Sequence, residues 1–370
     1  MGIFPEERRI PMVFSGSSHT PRFRTFPLLT LAVLVALATG LNLPLTAAAN
    51  PPNSVSGEAY GVFAHVETAA ATVTIGKTPR VVLPPEGGMD EEQVASLSIP
   101  GVVASETLTV ITSGAIGAEA ASAQSSATGE QVDILNGLVT ASLVVAMSSS
   151  TGDGSTATSS AEGSTLLDLT VNGVFMGDVT PAPNTTIGIP GVATVILNEQ
   201  IAGGDGVRTT TLTVNMIHVV LNGAASGEII VASAHSDVDF TPGPGPGREF
   251  MTGGGRLGTG REIATFGFNA GPRDGVLRGQ LQYIDHAQGL NVHATSIDSF
   301  STIPETPCVS FSGPARVNGV DGFSVTVDEA CDHGEPGVGR DTLAIAVSGP
   351  GLSYSRSGVL TGGNLQLHLP

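Results

Sequence analysis

Apolar residues recur at every second position in short segments along this chain. Between residues 209 and 221, for example, Leu212, Val214 and Met216 alternate with other residues, which predicts a strand with one buried face. The strands predicted before residue 241 are 56–66, 71–75, 106–112, 132–147, 165–175, 192–197, 209–221 and 228–240. No window shows an amphipathic helix with caps. This half of the chain is therefore predicted to be all-β.

Two stretches rich in Ser, Ala, Thr and Gly interrupt the alternating pattern, at 118–129 and 148–163. They are either mobile loops or strands with small side chains, and periodicity does not decide between the two. Asn172-Gly173 and Asn222-Gly223 are typical of tight turns at strand ends.

Pro and Gly alternate at 242–247, and the segment 241–248 is predicted to be a linker because it fits neither helix nor sheet. The strands predicted after it are 263–269, 276–285, 290–300, 309–317, 323–330, 342–348 and 353–367. Many short strands separated by turn residues predict two β-sandwich-like domains, at 50–240 and 249–370.

The N-terminal segment has the organisation of an export signal. Arg22 and Arg24 precede an apolar run at 28–43, and three alanines follow at 47–49. Residues 1–49 are thus predicted to be a signal peptide with an N-terminal extension, cleaved to leave a mature start at about Asn50. The run is shorter than the roughly 20 residues that span a bilayer comfortably. The alternative is an uncleaved signal anchor, which would leave the chain with a membrane span.

The chain has two cysteines, Cys308 and Cys331. In an exported protein an even number favours a disulfide. Predicted strands 309–317 and 323–330, joined by a loop at 318–322, form a hairpin that would place the two cysteines opposite each other. Their positions do not match the parity of the hairpin's apolar faces, so a β-bulge or a frayed end is expected. The alternative is a pair of buried free thiols.

Composition and charge exclude several classes of function. The chain carries 33 acidic residues against 15 Lys and Arg, with a net charge of −18. Such a surface repels phosphate backbones, and no basic stripe offsets it, so nucleic-acid binding is excluded. There is no Trp and there are three Tyr, which argues against an aromatic platform for glycans.

Motifs for enzymatic chemistry are missing from the sequence. It contains no nucleophile elbow, no zinc-protease helix motif and no Walker A loop. Residues 253–258 fit the Gly-x-Gly-x-x-Gly pattern, but they follow the Pro/Gly linker instead of a buried strand and open no helix. We therefore predict neither a dinucleotide site nor a catalytic residue, and no cofactor other than a calcium ion.

Calcium is suggested by an acidic cluster around the Gly- and Pro-rich turn at 334–339. Carboxylate oxygens on a sharp loop are the ligands that Ca²⁺ prefers, although the spacing is not that of an EF-hand. The candidate metal ligands are Asp328, Asp332, Glu335 and Asp341. The alternative is a solvated loop tied by Arg340. A weaker candidate for a transition metal is His286 with His293 and Asp285, around a turn at Gly289.

Residues 55–240 resemble the choice-of-anchor P family of exported bacterial proteins. The matching stretches are 56–66 (Ser-Gly-Glu-Ala-Tyr-Gly-Val-Phe-Ala-His-Val), 82–88, 169–173, 197–200, 212–219 and 229–236. Residues 249–370 resemble the domain that often follows such modules, with matches at 250–255, 267–271, 317–319, 334–337 and 361–368. The resemblance implies export, a β-rich extracellular module and no catalytic residues to carry over. Relatives carry varied C-terminal anchors; no sorting motif, apolar helix or basic tail is seen here, so covalent wall attachment is not expected.

The predicted function is that of a non-enzymatic exported or cell-surface β-protein with a structural, adhesive or matrix role. It would be secreted by, or held at the surface of, a bacterium, and its partner would be an extracellular ligand or a cell-envelope component. Two alternatives remain. One is an extracellular binding module for a glycan or another ligand, and the other is a secreted hydrolase, which would need paired carboxylates in a cleft.

Overall fold

The computed structural model describes residues 53–369, with gaps at 244–248 and 274. These residues form strands and turns, so the all-β class is confirmed. Residues 51–370 make up one compact unit. The predicted signal peptide at 1–49 and most of the predicted linker lie outside the described residues. Within the described ranges, no helix has the length and apolar character needed to cross a membrane.

The first half of the unit consists of fifteen antiparallel strands. They are β1 (Ser54–Glu67), β2 (Thr72–Leu83), β3 (Gly87–Val94), β4 (Leu97–Ile99), β5 (Val103–Ser105), β6 (Leu108–Ile116), β7 (Ala121–Ile134), β8 (Val139–Gly152), β9 (Ala157–Ser160), β10 (Thr165–Val171), β11 (Val174–Val179), β12 (Thr185–Ile189), β13 (Ala193–Gly204), β14 (Thr209–Asn222) and β15 (Ser226–Asp239). Six of them form sheet A, in the order β12-β13-β14-β15-β1-β2, and the other nine form sheet B, built around β7 and β8. An apolar core that includes Val62, Val110 and Val214 lies between the two sheets, as in a sandwich.

The second half is one antiparallel sheet that closes on itself. Its strands are β16 (Phe250–Leu257), β17 (Ala264–Arg273), β18 (Val276–Asp285), β19 (Leu290–Ala294), β20 (Ser299–Ile303), β21 (Cys308–Val317), β22 (Val320–Cys331), β23 (Thr342–Gly349) and β24 (Leu352–His368). β19 pairs with both β18 and β21, so every strand except β20 belongs to a continuous ring. This closed sheet differs from the predicted sandwich because large side chains, among them Phe266, Phe268 and Phe311, fill its interior in place of a facing sheet.

Sheet B is the middle of three layers. On β7, Ala121, Ala123 and Ala127 pack in the cores shared with sheet A. Ser122 and Gln124, which alternate with them, contact the closed sheet at Thr252 and Gly254. Because both faces are covered, strands β7 to β9 require small side chains, and the Ser/Ala/Thr-rich stretches are largely strands instead of loops.

Glycines allow the closed sheet to approach sheet B closely. A methyl group on Gly267 would lie 2.5 Å from Ile111 Cγ2, and one on Gly254 would lie 3.0 Å from Gln124 Cβ. Arg256 Nη1 donates to the Gly163 carbonyl (2.7 Å) across the same boundary, and burial lowers the Arg256 pKa to about 10. The Gly-x-Gly-x-x-Gly match thus largely coincides with a packed strand, β16, and not with a phosphate-binding turn.

The predicted disulfide joins Cys308 to Cys331 in the structure, at directly opposite positions of β21 and β22. A register shift between Val309 and Phe311 supplies the expected bulge. The hairpin turn is shorter than predicted, because Val317 already pairs with Val320. Asn318 and Gly319 alone form it, both with positive φ.

Candidate functional site

The acidic loop at 332–341 is held against strand β24 by two of the predicted calcium ligands. Asp332 Oδ2 accepts a hydrogen bond from the Leu367 amide (2.9 Å). Asp341 is fully buried, and its Oδ1 and Oδ2 accept from the amides of His333 and Leu365, each at 2.8 Å. Both carboxylates therefore satisfy main-chain donors and fix the path of the loop.

Next to this loop, Asn364 of β24 is almost completely buried (2% exposed). Its Nδ2 donates to Glu335 Oε1 (2.9 Å), but its Oδ1 has no hydrogen-bond partner among the described residues. A methyl group on Gly337 would lie 2.3 Å from both Asn364 Oδ1 and Asp341 Oδ2. Both oxygens thus lie against Gly337, and only glycine fits at position 337.

Negative charge accumulates at the loop, where Arg340 Nη1 donates to the main-chain carbonyl of Glu335 (3.2 Å) and not to a carboxylate. Glu335 is exposed as a residue, but desolvation of its carboxyl group raises the Glu335 pKa to about 7. The negative charges of Asp332 and Asp341 also raise this pKa, whereas the hydrogen bond from Asn364 lowers it. Burial likewise raises the Asp341 pKa to about 6. In the described part of the chain, no Lys or Arg forms an ion pair with any of these three acids.

The four predicted ligands do not all meet. Asp328 is exposed on β22. Among the described residues, the only three His, Cys, Asp or Glu side chains with ligand atoms within 4.8 Å of one another are Cys308, Glu329 and Cys331, and those cysteines are joined to each other. Calcium binding by the predicted set stays a prediction. Glu335 and Asp341 are the members that lie beside the unpartnered Asn364 oxygen, which the sequence did not single out.

Glu335 and Asn364 also form one wall of a recess between the closed sheet and sheet B. The cavity has a volume of about 300 Å³, and its other wall carries the hydroxyl groups of β8 and β9. The lining residues are Ser149, Thr151, Thr158, Ser159, Ser160, Glu335, Pro336, Gly337, Val338, Gly363 and Asn364. Its polar side chains are hydroxyls, one carboxyl and one amide, so the recess offers mainly oxygen ligands.

The two histidines of the weaker metal candidate pair with different glutamates. His286 Nδ1 pairs with Glu130 Oε1 (2.9 Å), and His293 Nδ1 pairs with Glu91 Oε1 (3.0 Å). Each pair joins the closed sheet to sheet B. His286 Nε2 also contacts Thr265 Oγ1 (3.0 Å), which completes an acid–imidazole–hydroxyl chain. Thr265 is only 1% exposed, so its hydroxyl is not accessible to a substrate. These hydrogen bonds therefore connect the closed sheet to sheet B.

A second candidate for function is the hairpin of β10 and β11. Val174, Phe175 and Met176 are 65%, 68% and 39% exposed, directly after the predicted turn at Asn172-Gly173. Successive side chains of a strand point to opposite faces, so three exposed residues in a row mean that neither face is covered. β11 is an edge strand, and β10 is its one partner among the described strands.

Comparisons with known proteins identify no family for this chain. No protein-family model and no curated protein matches the chain. A crystal structure of a Nitrosomonas europaea protein provisionally named AttH matches 91% of this chain and 99% of its own, with 10% identity and a TM-score of 0.19. At that TM-score the likeness supports no argument about fold or function.

Proposed function

We propose that this chain is a non-enzymatic exported protein of a bacterial surface or extracellular matrix, and that it makes structural or adhesive contacts by self-association. The observation that carries the proposal is the β10–β11 hairpin, which presents Val174, Phe175 and Met176 to solvent at a sheet edge. The predicted signal peptide and the resemblance to choice-of-anchor P proteins support export, with which the disulfide is compatible.

A second copy of the same chain is the occupant that fits this edge best. The free side of β11 offers main-chain donors and acceptors that another strand can pair with. A two-fold contact places the same strip on both copies, so the uncharged segment Val174–Met176 would meet an equally uncharged one. The rest of the surface belongs to a chain of net charge −18, which repels its copies elsewhere.

The expected association is weak. Three exposed side chains on each copy bury far less than the roughly 800 Å² per partner of a stable interface. We therefore expect dissociation constants of about 10⁻⁵–10⁻³ M, the affinity range of small transient contacts. Contacts of this strength are effective where many copies are held together, as in a surface layer or matrix.

Sedimentation velocity of residues 50–370 tests the contact. The wild-type chain is expected to sediment faster as its concentration rises, and Phe175→Lys is expected to remove this dependence because it places a charge at the contact. Val320→Lys is the matched control, since Val320 is 60% exposed beside another hairpin turn. If the wild type stays monomeric at millimolar concentration, or the two variants behave alike, self-association through β11 is excluded.

Export is tested separately by the intact mass of the full-length chain recovered from bacterial culture. Cleavage after the three alanines at 47–49 should leave a product that begins at about Asn50 and lies outside the cytoplasm. Recovery of the chain with residues 1–49 intact would contradict cleavage. Its retention in the cytoplasm would contradict export.

A further inference from the structure

A second recess lies where the closed sheet meets strand β3 of sheet B, and we call it the Arg278 recess. It has a volume of about 400 Å³ and is lined by Gly88 and Met89 of β3, by residues of β17 and β18, and by the segment 295–297. Arg278 is the only charged residue among the described residues that line it, although the whole chain has a net charge of −18. Cavities of this size are typical of sites that bind small molecules.

The strand register places two amide side chains beside Arg278. Asn269 of β17 pairs directly with Gln280 of β18, and Arg278 lies two positions before Gln280. Opposed residues of an antiparallel pair share a face, as do residues two apart along a strand. Arg278, Gln280 and Asn269 therefore lie on one face of the closed sheet. This face is turned toward sheet B, because Gly267, two positions before Asn269, lies against Ile111.

Asn269 and Arg278 both have hydrogen-bond donors that the described residues leave unused. Asn269 is 8% exposed, and its Oδ1 accepts from the main-chain amide of Gln280 (3.1 Å). This bond fixes the orientation of the side-chain amide, and it leaves Nδ2 with no partner among the described residues. Arg278 is exposed and forms no ion pair with another described residue. Because buried polar groups are normally hydrogen-bonded, the Asn269 nitrogen indicates an acceptor in the recess.

We propose that the Arg278 recess binds a sugar acid, with the carboxylate of the ligand at Arg278 and Asn269. A guanidinium group donates two parallel hydrogen bonds to a carboxylate, and Asn269 Nδ2 supplies a further donor. Gln280 and Thr295 are exposed residues of the lining, and their amide and hydroxyl groups can bind the hydroxyl groups of the ligand.

The apolar part of the lining fits the ring of such a ligand. Met89, Leu277 and Ile297 line the recess with aliphatic side chains, which can pack against the C–H bonds of a sugar ring without an aromatic platform. A purely apolar acid would leave the amide and hydroxyl groups of the recess without partners. A hydroxylated acid matches both the apolar and the polar groups.

The charge of the recess favours a ligand with a single negative charge. A polyanion would be repelled by the rest of a chain whose net charge is −18. A cation would find no carboxylate among the described lining residues, since Asp298, which accepts from Ser296 Oγ (3.2 Å), does not line the recess. A monocarboxylate pairs with the one guanidinium group that is present.

Saturation-transfer NMR of residues 50–370 with glucuronic acid tests the proposal. Strand β11 contributes no residue to the recess, so the result does not depend on self-association. The expected dissociation constant is about 10⁻³ M, because a small polar ligand makes few contacts in an open site. Glucose, which carries a CH₂OH group in place of the carboxylate, should bind about tenfold more weakly. No saturable binding of glucuronic acid at about 20 mM, or equal affinity for glucose, would overturn the proposal.

The methyl glycoside of glucuronic acid identifies the source of the ligand. Its blocked anomeric oxygen reproduces a sugar acid that is linked at the end of a glycan. Equal affinity for the glycoside and the free acid would support the proposal with a glycan end as the ligand. Binding of the free acid alone would support it with the free compound as the ligand.

Two variants locate the site. Arg278→Gln removes the charge of an exposed side chain, so it should fold normally and bind glucuronic acid about tenfold more weakly. Arg340→Gln is the matched control, because it changes the net charge equally at an exposed arginine outside the recess, and it should keep the full affinity. Unchanged affinity in Arg278→Gln, or an equal loss in both variants, would show that the charge acts without a defined site and would overturn the assignment.

Discussion

Replacing Asp285 with alanine is expected to lower the free energy of unfolding by about 3–5 kcal/mol. Asp285 is fully buried at the end of β18. Its Oδ2 accepts from Arg356 Nη1 (2.9 Å) and from the Tyr354 hydroxyl (2.7 Å). Its Oδ1 accepts from the amides of Ala287 (3.0 Å) and Gln288 (3.1 Å). Truncation would leave these four donors without their acceptor, including a largely buried guanidinium.

The neighbouring tyrosines make this loss hard to repair. The Tyr283 and Tyr354 hydroxyls lie 2.6 Å apart, and burial raises the pKa of both, that of Tyr283 to about 12. Both hydroxyls therefore stay protonated at physiological pH, and Tyr354 needs an acceptor such as Asp285. Together these groups fix the end of β18 against β24.

Denaturant unfolding measures the effect, with Asp321→Ala as the control. Asp321 also pairs with an arginine, Arg316 (2.7 Å), but its side chain is 78% exposed, so its removal should cost at most about 1 kcal/mol. Similar losses of unfolding free energy in the two variants would show that the burial of Asp285 does not add to its contribution to stability. No loss in Asp285→Ala would contradict the hydrogen-bond network itself.

Removing the disulfide should cost roughly 3 kcal/mol. The bond joins cysteines 23 positions apart, and closing a loop of that length restricts the unfolded chain by about this amount. Replacing Cys308 and Cys331 together with alanine is therefore expected to shift denaturant unfolding strongly, and the wild type under reducing conditions should shift similarly. The unreduced, unfolded wild type should show no titratable thiol. Two free thiols, or equal stability of oxidised and reduced chains, would contradict this expectation.

The sequence identified local features more successfully than distant ones. The hairpin of Cys308 and Cys331, its bulge and the turn at Asn172-Gly173 follow from residues close together in the chain, and the structure contains all of them. The closed sheet could not be predicted, because its closure depends on the pairing of β19 with β21, which alternation alone does not specify. The disposition of sheet B as a middle layer was also hidden, since a strand covered on both faces loses the apolar–polar alternation.

The candidate site was likewise predicted only in its local features. The acidic loop was visible as a cluster of carboxylates around a turn. Asp332 and Asp341, however, bind main-chain amides of β24, and no local pattern places that strand beside the loop. Asn364 could not be found, because its role depends on burial beside Glu335. The exposure of Phe175 was equally hidden, since an apolar residue in a predicted strand is normally assigned to the core.

The most direct test of the proposed function is cysteine cross-linking at the β10–β11 hairpin. The described residues contain no free cysteine, so Phe175→Cys would introduce a single reactive thiol. If two copies meet through β11, mild oxidation should give a reducible dimer that increases with protein concentration, while Val320→Cys stays monomeric. Equal amounts of dimer from the two variants, or none from Phe175→Cys, would contradict self-association through this edge.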